Sequence, residues 1–160
     1  MREILFRARR TYDKEWIEGN LIIDRNGQSH IVPAEFFCED GHHLSYEDDT
    51  DSPVFFDSET IGQYVGVVDK TGTKIFEGDI LRGEQYPYKD FDEDQYNYYA
   101  EVCWSDECHD FFLYTFKAPG SKVTGLSEGN TEPIEDWMPC DWEIIGNVHD
   151  DAEKFGITWN

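Results

Sequence analysis

The stretch from Ile61 to Ile80 constrains this chain more than any other part of it. Ile61-Gly62-Gln63-Tyr64-Val65-Gly66-Val67-Val68 is rich in the β-branched and aromatic residues that suit a pleated, half-buried surface. Asp69-Lys70-Thr71-Gly72 has the composition of a tight turn, and Lys74-Ile75-Phe76-Glu77 returns. Gly78-Asp79 then marks a corner before Ile80-Leu81-Arg82. Strands joined by so short a turn must pair antiparallel, because a parallel pair needs a long crossover.

The same bias runs through the whole chain. Val, Ile and Thr number 29, whereas Ala, Leu and Met, the better helix formers, number 13. A mainly β fold with few or short helices is therefore expected. Ile4 to Arg9 and Trp16 to Ile23 read as the first strands, the second interrupted at Gly19-Asn20. Asn26-Gly27, the favoured type I′ pair, predicts a two-residue hairpin between Ile23 and His30, and Pro33 ends that pairing. Tyr98 to Trp104 and Phe111 to Thr115 bracket Ser105-Asp106-Glu107 as a second hairpin. Trp142 to Val148 is the last strand, and Ile134 to Trp137 could add one helical turn.

Charge is the second constraint. Asp and Glu number 35 against 13 Lys and Arg, a net charge of −22. Leu, Ile, Val and Phe still make up 37 of 160 residues, above the roughly 20% below which a highly charged chain stays disordered. The chain should fold. Residues 1–25 hold six bases and five acids, so nearly all the imbalance lies beyond them. Residues 39–59 carry eight acids and no base, as a solvated connection between two β units would. The expected division is an N-terminal β unit over 1–58 and a second β domain over 59–160. An acidic surface repels nucleic acid and anionic membrane and attracts a basic protein. No apolar run approaches the roughly 20 residues of a membrane span, and the start lacks a secretory apolar segment. A cytoplasmic location is expected.

No constellation announces chemistry. Cys38, Cys103, Cys108 and Cys140 include no Cys-x-x-Cys pair, and Cys103-x4-Cys108-His109 lacks a second zinc knuckle. Small buried thiols are the first expectation, a cross-strand Cys103–Cys108 pair the alternative. His42-His43 lie in the acidic connection, and neither Asp48-Asp49-x-Asp51 nor Asp92-Glu93-Asp94 has a calcium-loop pattern. Gly62, Gly66, Gly72 and Gly78 are too widely spaced for a phosphate loop. No Gly-x-Ser-x-Gly turn frames a nucleophile. We expect no catalytic residue, no cofactor and no metal. One feature does suggest contact. Tyr86, Tyr88, Phe91, Tyr96, Tyr98 and Tyr99 alternate with acids in a polar stretch, a composition common in protein-binding surfaces, with packing against the protein's own fold an equal alternative.

Three segments together resemble the YopX family. They are Arg2-Glu3-Ile4-Leu5-Phe6-Arg7-Ala8, the block Ile61 to Ile80, and Trp142-Glu143-Ile144-Ile145-Gly146-Asn147-Val148-His149-Asp150. Their order and approximate spacing also fit, whereas residues 39–59 and 84–140 match loosely. The resemblance implies a phage or prophage origin and an SH3-like β-barrel in the second half. The family has no established biochemical function, so it transfers no site residue. The resulting expectation is a non-enzymatic interaction or assembly module, a homo-oligomer with a basic host or phage protein as a further partner. An acidic inhibitor imitating DNA, aimed at a host DNA-binding protein, is the alternative.

Overall fold

The computed structural model describes residues 3–33, 56–84, 97–117, 129–134 and 142–157. Among them the protein is mainly β, with ten strands, all antiparallel where paired, and one short helix. It divides into two compact units, Met1–Tyr64 and Val65–Asn160. The acid-rich stretch in the sequence places that division at 58/59 instead.

In the first unit, β1 (Phe6–Arg10) lies between β2 (Trp16–Ile23) and the early part of β4 (Phe56–Val68), and β3 (Ser29–Val32) pairs with the outer side of β2. The β2–β3 hairpin forms where expected, but its turn differs. It spans Asp24 to Gln28, and among non-glycine described residues only Lys14 and His109 have positive φ. Asn26 therefore does not take the type I′ conformation. Asp24 is the reason: one carboxylate oxygen accepts the Asn26 and Gln28 amides at 2.8 and 2.9 Å. That local alternative to a two-residue turn leaves only Gly27, at φ 81°, left-handed. β2 also runs unbroken through Gly19-Asn20.

β4 starts earlier than its apolar pattern suggests. Phe56 to Glu59, expected in the acidic connection, already lie in the strand, with Arg10↔Phe56 and Arg9↔Asp57 as partners. The register then slips before Arg7↔Gly62. Buried Thr60 repairs the gap, accepting the Arg9 amide at 2.9 Å and donating to the Asp57 carbonyl at 2.7 Å. Backbone pairing outweighs surface charge here, since an exposed acid is tolerated on a strand whose other face is buried.

The second unit holds β5 (Lys74–Phe76), β6 (Asp79–Glu84), β7 (Asn97–Ser105), β8 (Asp110–Lys117), β9 (Thr131–Pro133) and β10 (Trp142–Asn147), followed by α1 (Val148–Phe155). In hydrogen-bonded order one sheet is β3-β2-β1-β4-β5 and the other β10-β6-β7-β8-β9. Neither sheet closes on itself among the described residues. Val65, Ile75, Leu81, Tyr98, Ala100, Val102, Phe111, Leu113 and Trp142 form one buried cluster. The alternation in β7 and β8 supplies most of it.

The α1 helix is absent from the sequence reading, although its signals are local. Asn147 caps it by accepting the His149 amide at 2.9 Å, Asp150 and Asp151 occupy the first turn, and Gly156 ends it. The apolar run Ile144-Ile145 before the cap drew the reading toward strand. Of the helical turn expected at Ile134 to Trp137, only Ile134 is described, and it is not helical.

Candidate functional site

The two sequence blocks around Gly78 and Asn147 meet in one corner. Gly78 has φ 82°, a conformation that suits glycine, and its amide donates to the Val102 carbonyl at 2.8 Å. The Gly78 carbonyl accepts the Val148 amide at 2.9 Å. Asp79 is only 1% exposed. One of its carboxylate oxygens accepts the Phe76 amide at 2.8 Å, and the other faces Asn147 Nδ2 at 3.5 Å. The Asn147 amide in turn donates to Asp151 at 3.2 Å. These bonds go to backbone or to another corner residue, and the carboxylate is out of reach of a solute. The corner clasps the two segments together.

A second buried carboxylate behaves the same way. Asp69 Oδ1 accepts from the Thr71 and Thr73 amides and the Thr71 hydroxyl, and Oδ2 accepts the Ile144 amide at 3.1 Å. Burial pushes its carboxyl up, but these donors outweigh burial and hold it below the usual carboxylate range. The neighbouring Lys70 amide donates to the Trp142 carbonyl at 2.9 Å. Glu143 binds Lys70 and Arg82, both at 2.7 Å, and those cations hold its carboxyl down.

The thiols do not pair across the hairpin. Cys103 faces Phe112, and Cys108 lies exposed in the turn between β7 and β8. The sequence misleads because the turn spans Asp106 to His109, which moves Cys108 out of the ladder. Burial, reinforced by Glu101, pushes the Cys103 thiol far above its ordinary value, which leaves it a neutral thiol rather than a nucleophile. Among the described residues, no three His, Cys, Asp or Glu side chains gather as a metal would need. No helix among them is long and apolar enough to cross a membrane.

Of the suggested contact aromatics, Tyr86, Tyr88, Phe91 and Tyr96 lie outside the described residues, as do Cys38, Cys140, His42, His43 and both Asp-rich clusters. Strand alternation separates the remaining two. Tyr98 is 4% exposed and belongs to the core. Tyr99 faces the other side of β7, where its ring lies 6.4 Å from Phe116 and 6.3 Å from Phe155. Lys117 sits 4.8 Å over the Tyr99 ring, and Lys154 sits 4.9 Å over Phe155. Phe112 and Tyr114 continue this outer face along β8, Tyr114 being 39% exposed. The aromatic surface on β8 and α1 was missed because sequence reading attended to the acidic stretch before β7. The alternation Asp110-Phe111-Phe112-Leu113-Tyr114 carried the signal.

Comparison with known proteins bears on the fold and the family. Among solved structures the chain is similar to protein EF1440 from Enterococcus faecalis, at 20% identity over 96% of this chain and 99% of that one, with a TM-score of 0.50. A likeness at that identity speaks to fold alone. No curated protein matches the chain. The family model described as YopX protein matches residues 5–155, nearly the whole length, and the chain belongs to the YopX family.

Proposed function

We propose that this protein is a non-enzymatic interaction or assembly module encoded by a phage or prophage, working in the cytoplasm of the bacterial host. The observation that carries the reading is the contrast between its two kinds of polar and aromatic side chain. Asp69, Asp79, Asn147 and Glu143 are committed to backbone amides and ion pairs. On the outer face of β8, by contrast, Tyr114 and Lys117 face solvent beside the half-buried rings of Tyr99 and Phe112. Recognition surfaces have that composition. We further read the second unit as an SH3-like barrel. In support, the turn after β4 is tied to β10 through the Lys70 amide and the Asp69 carboxylate.

The test is affinity capture from a host lysate, using the wild-type chain and a Tyr114→Glu variant of equal melting temperature. A defined protein retained by the wild type and lost with the variant supports the module reading. Retention of nothing beyond a charge-matched control overturns it. Capture of a DNA-binding protein that duplex DNA displaces would replace it with the inhibitor reading.

A further inference from the structure

β8 is polarised along its length. Phe111, Leu113 and Thr115 are buried, so Asp110, Phe112 and Tyr114 face outward. The register shift between Tyr99 and Ala100 then brings Lys117 opposite Tyr99, on that same outer side. The result is a stripe with a cation at one end, aromatic rings in the middle and a carboxylate at the other. Six residues lie between Lys117 and Asp110, one of them taken up by the bulge, so the two ends are about 20 Å apart along the strand. Flanking groups reinforce both ends. Lys154, also 3.7 Å from Asp151, adds a second cation beside Phe155, and Asp106 and Glu107 add acids in the turn beyond Asp110. The Asp110 carboxylate accepts the adjacent Phe111 amide at 2.8 Å. Thr131 and Pro133 of β9 flank the stripe opposite Tyr114 and Phe112.

We propose that this outer face of β7 and β8 is the interface of a two-fold symmetric dimer, the occupant being a second copy of this chain. The inference rests on the module reading and specifies its first partner. A two-fold contact uses one patch twice, so the patch must complement itself. Two sheets facing each other leave two simple placements for the axis in the contact plane. An axis along the strands would set Lys117 against Lys117 and Asp110 against Asp110, which like charges oppose. An axis across the strands at the level of Leu113 reverses one stripe on the other. Lys117, shifted one rung by the bulge, then meets Asp110 of the copy at both ends, and Tyr114 meets Phe112 of the copy near the centre. The charge pattern selects the second arrangement.

Glu101, paired with Tyr114 in the register, lies one rung from that axis and so comes near its own copy. Glu101→Gln should therefore hold the dimer at least as tightly as wild type. Sedimentation equilibrium at about 0.3 M salt, where the repulsion between acidic copies is screened, measures the association. Lys117→Glu and Asp110→Lys should each weaken it about tenfold, since symmetry applies every change twice. The double variant should return to within about threefold of wild type, because both pairs re-form with reversed polarity. Circular dichroism confirms that each variant folds. A monomeric wild type at every concentration up to about 0.1 mM, a double variant as weak as the singles, or dissociation by Glu101→Gln each overturns the proposal. A monomer that still captures a defined partner from lysate would sink the dimer and leave the module reading standing. A dimer that captures nothing would do the reverse.

Discussion

Gly78 and Asp79 show how far a few residues can be read by themselves. Glu77-Gly78-Asp79-Ile80 predicts a positive φ or a crowded bend, with the aspartate capping nearby amides; Gly78 takes the positive φ and Asp79 accepts the Phe76 amide, and both depend on neighbours in sequence. The Asn147 half of the corner was not legible. It lies 68 residues from Asp79, and nothing local says which distant amide a buried carboxylate will face. A Cβ at Gly78 would lie 3.3 Å from Val148 Cγ2 on backbone that already disfavours side chains. Gly78→Val should therefore cost about 1–3 kcal/mol, read as a lower midpoint in thermal unfolding. Asp79→Asn keeps one acceptor but turns the other oxygen into a donor facing a donor. It should cost about 1–2 kcal/mol and leave capture of any partner unchanged, since the group is sealed from solvent. Loss of a partner at an unchanged melting temperature would make Asp79 a functional residue.

At the level of the strand and the turn, legibility followed period and failed where side chains competed with backbone. The β7–β8 hairpin and the strand at Trp142 announce themselves by alternation, whereas the Asp24 turn and the early start of β4 depend on which amides a carboxylate or a threonine satisfies. The Asp69 turn is the element that responds most directly to acid. Its folded-state carboxyl sits below the ordinary value of 3.8, so the unfolded chain takes up the proton first. That stability is present above the ordinary value and is lost as pH falls through the lowered one. Asp69→Asn should lower the melting temperature at pH 7 and flatten its fall below about pH 4. Glu101 runs the other way. Burial holds its carboxyl above the ordinary 4.5, although the Cys103 thiol opposes the shift and Glu77 adds to it. The folded chain then binds the proton more tightly, and stability drops as pH rises through that raised value. Glu101→Gln should raise the melting temperature at pH 7, an advantage that shrinks as the pH approaches 4.5.

For the molecule as a whole, family membership and the mainly β class were legible. The chain's role was not, because no described cluster of side chains matches a reaction. Among the described residues no three metal-binding side chains gather, so purified protein should carry no stoichiometric zinc by elemental analysis. A stoichiometric zinc lost on Cys103→Ser would contradict that. β4 carries a consequence of another kind. The boundary between the units falls at Tyr64–Val65, inside a thirteen-residue strand rather than in a connecting loop. A crossover between two related genes at this point would splice half a strand from each parent. If the graft were one residue out of step, every side chain beyond it would turn to the opposite face. An exchange of one unit between two such chains would therefore have to keep the phase of β4 across the junction.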